Sequence, residues 1–243
     1  MAGEDTINKI IALQNSLKDE KKEYLENYLK NSPVWFLESL QIVHKEKNSI
    51  FIEENEEVDY VYILVEGVVK AIEYRICGTL YDYMRFDAVK VFGSMEILLK
   101  MNQYKTTLKT VTDCTMLVIS KTKFEKWMLN DIHALHMEIR SMGSYLLEQA
   151  RKERVFLFLQ GIDRVIYLFT QIYEQQNENN QCLLKLTRVE LSERSGLSVK
   201  TINRSIKSLE DRGYISRAGN KIMILMKQYV TMKEYLEPIV EQE

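Results

Sequence analysis

Lys200, Asn203, Arg204 and Lys207 recur at spacings of three and four residues, with Ile202, Ile206 and Leu209 interleaved at the same period. On a helix the two sets take opposite faces, polar donors on one side and aliphatic groups on the other. A guanidinium such as Arg204 offers the planar fork that matches O6 and N7 of guanine, Lys200 can read guanine or touch phosphate, and Val199 can meet a thymine methyl. This is the chemistry of recognition, with no nucleophile or general base in it.

The surrounding residues supply what is needed to hold such a helix. Thr187-Arg188-Val189-Glu190 has the form of a capping box, in which a threonine hydroxyl and a glutamate carboxylate satisfy orphan amides at a helix start. Gly196 stands where a tight turn between two helices needs a residue tolerant of positive φ, and Leu197 then packs back. Ser198 suits the N-cap of the second helix, and Gly213 marks its end. Residues 214–225 read as a hairpin following it. The pattern is a helix–turn–helix with a wing, its candidate DNA contacts being Arg188, Ser198, Val199, Lys200, Thr201, Asn203, Arg204 and Lys207.

Charge agrees once it is divided along the chain. The 243 residues carry a formal net charge of -2, which alone argues against a polyanion partner. Between Lys185 and Lys227, however, ten basic residues face four acidic ones, a local excess of +6 that leaves −8 for the rest. Only one part of the chain is built to meet nucleic acid.

Other chemistries are poorly served. Cys77, Cys114 and Cys182 lie far apart and form no CxxC pair, so a disulfide framework, a structural zinc site and a four-cysteine iron–sulfur cluster are not expected. Cys77, beside Gly78, would sit at a hairpin tip. His133 and His136 stand one turn apart without a carboxylate shell, and His44 is alone, so neither a metal nor any other cofactor is expected. A metal-dependent β-roll enzyme needs histidines and a carboxylate converging from strands, which leaves a non-enzyme as the expectation. The acidic N-terminus lacks the basic start and apolar run of a signal peptide, and no apolar run spans a bilayer; a cytoplasmic protein without a membrane partner is expected.

The elements that position the recognition helix follow from periodicity. Residues 5–30 carry apolar groups at helical spacing and stop at Pro33. Short runs rich in Val, Ile, Tyr and Thr at 49–52, 60–65, 68–74, 79–86 and 106–119 read as strands of an antiparallel β-roll. Ile132, Leu135, Ile139, Met142 and Leu146 then step by three and four along a helix reaching about Leu157, a heptad-like seam suited to a second subunit. A helix over 163–173 follows, then a solvated polar tract at 174–181, a strand at 182–186, and a last helix interrupted or ended near Pro238. The fold class is α+β, with an N-terminal roll over 1–120, a dimerisation helix and hinge over 121–159, and a winged helix–turn–helix with a C-terminal helix over 160–243.

The run from Thr187-Arg188-Val189-Glu190-Leu191 through Ser195-Gly196-Leu197-Ser198 to Thr201-Ile202-Asn203-Arg204, with Leu209-Glu210-Asp211, Ile215 and Ile222, resembles the reading head of the Crp/Fnr transcription regulators. Tyr62-Ile63-Leu64-Val65-Glu66-Gly67-Val68-Val69-Lys70 resembles that family's strand–glycine–strand in a cyclic-nucleotide-binding roll. The resemblance spans residues 42–225 and implies a homodimeric, sequence-specific regulator of transcription on a near-palindromic site, with RNA polymerase as a further partner. It places an effector pocket at Gly93, Ser94, Tyr104, Lys105 and Gln149, and a hinge at Phe158, Leu159 and Gln160. Members that bind cyclic AMP carry a Gly-Glu pair and a later Arg in this pocket. Here those positions hold Ser94 and Tyr104, and without a guanidinium fork a cyclic phosphate loses its strongest partner. The expectation is another small-molecule effector, or none. An alternative keeps the fold as an interaction or ligand-sensing module that does not bind DNA.

Overall fold

In a computed structural model of the chain, residues 2–74 and 80–240 are described, with residues 2, 3, 74, 80, 152–157 and 240 described by backbone alone. The chain divides into two compact units, residues 1–145 and 146–243.

The first unit opens with α1 (Ala2–Ser16), α2 (Asp19–Leu29) and α3 (Val34–Leu37). The expected single leading helix is therefore two, because Lys18 takes extended backbone (φ -67°, ψ 151°) and restarts the helix with Asp19 and Glu20 in its first turn. Then come β1 (Gln41–Lys45), β2 (Ile50–Ile52), β3 (Tyr60–Glu66), β4 (Val68–Tyr74), β5 (Leu80–Asp87), β6 (Lys90–Phe92), α4 (Ser94–Leu98), β7 (Thr107–Thr110), β8 (Cys114–Ser120) and α5 (Lys121–Met128). The strands make two antiparallel four-stranded sheets, ordered β1-β8-β3-β6 and β2-β7-β4-β5. The run at 106–119 is thus broken. β7 belongs to one sheet and β8 to the other, and the chain crosses between them at Val111-Thr112-Asp113, where the Val111 amide donates to the Val68 carbonyl at 2.8 Å. The turn expected at Cys77-Gly78, and Thr79 of the expected strand, lie outside the described residues.

The inner faces of the two sheets share one core. Val61, Ile63, Leu64, Val69, Ala71, Leu108, Met116 and Leu117 belong to that core, and because Ile63-Leu64 and Met116-Leu117 are adjacent on their strands, β3 and β8 are buried on both faces. Against one end of that core pack Tyr28, Phe36, Phe124 and Trp127, with Tyr28 edge-on to Trp127 at 5.2 Å between ring centroids. Aromatic side chains of this size supply much of the buried apolar area in a unit of this length.

The long helix α6 (Ile132–Phe158) runs from the first unit into the second. Ala134 and Glu138 are buried against the first unit, and Leu135 and Met137 pack on its core. Ile132, Ile139, Leu146 and Leu147 are exposed, at 72%, 55%, 57% and 75%. Most of the expected seam is therefore an uncovered apolar face, with Leu135 turned partly inward.

The second unit continues with α7 (Gly161–Gln176), β9 (Gln181–Leu184), α8 (Arg188–Ser195), α9 (Val199–Asp211), β10 (Ser216–Ala218), β11 (Lys221–Leu225) and α10 (Met226–Val240). The polar tract at 174–181 is shorter than expected. Glu174, Gln175 and Gln176 extend α7, Gln181 starts β9, and Asn179 and Asn180 make the turn at positive φ (51° and 62°). The last helix starts at Met226 and contains Pro238 instead of ending there. So close to the C-terminus of the helix, proline removes a single backbone bond. The unit's core joins Val165, Ile166, Phe169 and Ile172 of α7 to Leu191, Ile202, Ile206, Leu209, Ile222 and Ile224.

Candidate nucleic-acid interface and sensor cassette

The turn between α8 and α9 is fixed by local hydrogen bonds. The Thr187 amide donates to Glu190 Oε2 at 2.7 Å and the Glu190 amide donates to Thr187 Oγ1 at 3.2 Å, closing the capping box. Gly196 ends α8 in left-handed backbone, φ 67°. Ser198 caps α9, its Oγ accepting from the Thr201 amide at 3.2 Å. Two residues not singled out by spacing complete the turn. Ser192 Oγ donates to the Leu197 carbonyl at 2.5 Å, and Ser195 Oγ donates to the Leu191 carbonyl at 2.7 Å. Both serines are buried, so their hydroxyls settle carbonyls that water cannot reach. Small hydroxyl residues flanking a turn glycine were the available signal.

This turn presents α9 as a two-faced rod. Ile202, Ser205, Ile206 and Leu209 are buried, whereas Val199, Lys200, Asn203, Arg204 and Lys207 are exposed. At about 100° per residue, Lys200, Asn203, Arg204 and Lys207 fall within about 100° of arc. Among the described residues no ion pair engages Lys200, Arg204 or Lys207, so their charges are available to an incoming polyanion. Ser198 and Thr201 are spent partly on each other, their hydroxyls 2.9 Å apart.

Arg188 lies apart from that face. It is half-buried at the start of α8 beside Arg217 of β10 and Glu210 of α9, and burial, then the charge of Arg217, lowers its pKa against the pull of Glu210. Arg217 Nε donates to Glu210 Oε2 at 3.0 Å, which ties the hairpin of β10 and β11 to the recognition helix. Gln228 braces the hairpin's base, its Nε2 donating to the Gly213 carbonyl at 3.0 Å and to Ser216 Oγ at 2.9 Å. Sequence periodicity gave no hint of either tie, because both join residues remote in helical register.

In the first unit, Gly93, Ser94, Tyr104 and Lys105 are brought together around α4. Gly93 has φ 85°, and a Cβ there would stand 2.7 Å from the Tyr60 carbonyl and 3.3 Å from the Tyr104 ring, so both backbone and space demand glycine. Tyr104 is buried and its hydroxyl donates to the Tyr60 carbonyl at 2.7 Å; burial pushes that hydroxyl's pKa well up. The loop leading to it is closed by the protein's own groups. The Tyr104 amide donates to the Glu56 carbonyl and the Asn55 amide to the Tyr104 carbonyl, both at 3.0 Å, and the Lys105 amide donates to Glu96 Oε1 at 3.3 Å. The Lys105 side chain is exposed, and Ser94 is buried. Gln149 belongs to the second unit. At the expected hinge, Leu159 is buried in the second unit's core, Phe158 is exposed, and Gln160 forms the capping box that starts α7 with Asp163. His133 meets the Asn27 carbonyl through Nε2 at 3.0 Å. Among the described residues no three His, Cys, Asp or Glu side chains gather as a metal site, and no helix is long and apolar enough to cross a membrane.

Comparison with known proteins bears on both units. Residues 42–131 match the model of the cyclic nucleotide-binding domain, and residues 163–229 match that of the Crp-like helix-turn-helix domain. The cAMP-activated global transcriptional regulator CRP of Haemophilus influenzae is 22% identical over 193 residues, covering 78% of this chain and 86% of that one. Among solved structures, the c-di-GMP-responsive global regulator CLP of Xanthomonas campestris superposes with a TM-score of 0.67 at 16% identity, covering 84% of this chain and 98% of its own. A CooA mutant from Carboxydothermus hydrogenoformans gives 0.67 at 14% identity, covering 87% and 94%.

Proposed function

Since the chain belongs to the Crp/Fnr family of DNA-binding transcription regulators, with a cyclic nucleotide-binding domain and a Crp-like helix-turn-helix, we propose that it acts as a homodimer on a near-palindromic operator and does not respond to cyclic AMP. The observation that carries the DNA reading is the α9 face, where Lys200, Asn203, Arg204 and Lys207 are exposed together on a helix held by two caps and two buried serines. Arg204 reads guanine, Val199 a thymine methyl, and Lys207 and Arg188 meet phosphate. Two such helices about 34 Å apart enter successive major grooves.

The homodimer rests on the apolar face of α6, since Ile132, Ile139, Leu146 and Leu147 stay exposed in the single chain and a face of that kind is stabilised by burial against its own copy. The effector reading rests on Tyr104. Where a cyclic phosphate would need a cation, this side chain is buried and its hydroxyl is committed to the Tyr60 carbonyl. The regulator therefore answers to another ligand or to none, a change in the roll being passed along α6 to Phe158, Leu159 and Gln160. RNA polymerase is the further partner of such a regulator. Calorimetric titration of the purified chain with cyclic AMP, followed by operator binding with and without it, tests this. No binding heat and unchanged DNA affinity are expected; saturable binding that tightens the DNA complex would overturn the effector reading.

A further inference from the structure

Among the described residues, Glu138 is the one carboxylate of α6 that is buried, with 2% of its surface exposed. Three elements converge on it. Tyr24 and Tyr28 face it from α2, Ser94 from the first residue of α4, and Lys90 from β6. Lys90 Nζ also meets Ser141 Oγ, one turn further along α6, at 2.9 Å. Asp131, just before the same helix, faces Tyr28 and is itself held by the Trp127 indole N–H at 2.9 Å. The hydroxyls of Ser94 and Tyr28 turn toward the Glu138 carboxylate. They do not reach bonding geometry with all of it, because Glu138 Oε1 and the Tyr28 hydroxyl are both buried without a hydrogen-bond partner.

A buried carboxylate oxygen with no donor is costly when the group is charged and much less so when it carries a proton. Burial pushes the Glu138 carboxyl upward, more strongly than Ser94, Tyr28 and Lys90 pull it down. Among the described residues Lys90 is the single cation facing the group, and it also serves Ser141.

We propose that Glu138 is a proton-operated latch, which when protonated holds α6 against α2 and the α4 cassette and when ionised loosens that docking. Its effect on DNA affinity rests on the regulatory reading above, whereas its effect on stability rests on these contacts alone. Below the ordinary carboxylate range the folded and unfolded chains both hold the proton and the stabilisation is complete. As pH rises the unfolded chain releases its proton first, and the stabilisation is lost through the raised titration of the folded form.

Thermal melting of the full chain and of Glu138→Gln between about pH 3 and pH 8 tests the latch, the acid end lying below the ordinary carboxylate range. The variant, which cannot ionise, melts with the wild type at the acid end and above it by a widening margin toward the alkaline end. A margin that does not change with pH overturns the proposal. Should Glu138→Gln not fold, carbon-detected NMR of the Glu138 carboxyl in the wild-type chain decides: a midpoint above the ordinary glutamate range supports the latch, and an ordinary one overturns it. In operator binding, the wild type varies with pH and Glu138→Gln does not; equal pH dependence removes the coupling to DNA. If neither protein binds DNA, the regulatory reading fails while the melting curves still judge the latch.

Discussion

Replacing Arg204 by alanine isolates the base-reading claim from the fold. Arg204 is exposed, and among the described residues it holds no ion pair, so the substitution leaves stability within about 0.5 kcal/mol of the parent. Alanine is also the best helix former, which removes a propensity cost on α9. On DNA the loss is one bidentate contact per recognition helix, about 1–3 kcal/mol each. A dimer loses it twice, so the affinity for a symmetric operator falls by between about thirtyfold and about twenty-thousandfold. Fluorescence anisotropy with a labelled operator, and with operators changed at each base pair in turn, measures both the loss and its location. Arg204→Ala is expected to bind poorly to the parent operator and to cease discriminating at one symmetric pair of positions. An unchanged affinity, or a loss spread evenly over all sequences with discrimination intact, would refute the assignment and leave Arg204 as a solvated or phosphate-touching charge.

The remaining expectations address the other parts. Lys207→Ala weakens binding to all sequences alike and lowers the salt slope of the affinity by about 1 for each phosphate that is no longer neutralised, read from titrations at several salt concentrations. Ile139→Lys with Leu146→Lys places charge on the uncovered face of α6 and yields a monomer by sedimentation velocity, with the melting of the second unit unchanged. Gly93→Ala forces a side chain to φ 85° and to within 2.7 Å of the Tyr60 carbonyl, costing about 1–3 kcal/mol and several degrees of melting temperature by calorimetry. Thr187→Ala removes one half of the capping box and costs about 1 kcal/mol in a denaturant melt.

The parts of the molecule that were legible in the sequence are those governed by neighbours in the chain. The capping box, the glycine turn and the two faces of α9 depend on residues within about one heptad, and the structure places Thr187, Gly196, Ser198, Ile202 and Leu209 as their spacing implied. The roll was legible as a class but not in detail. β8 is buried along nearly its whole length and shows no alternation, so nothing marked its separation from β7. β1 and β6 are short and gain their order by pairing with β8 and β3, remote in sequence. The same limit applied to the cassette. That Tyr104 bonds to Tyr60, and that Ser94 faces Glu138 on α6, are consequences of tertiary packing that no spacing rule contains. Glu138 stands in the sequence next to Ile139 of the apolar seam, and no spacing rule marks it as buried.

The central claim is that α9 reads DNA as one of a symmetric pair. Selection of bound duplexes from a random pool by the purified chain tests it most directly. The predicted result is enrichment of an inverted repeat whose half-sites are centred about one helical turn apart or a multiple of it, each with a guanine that Arg204→Ala no longer distinguishes. A pool that stays random, or an enriched site with no inverted symmetry, would contradict it.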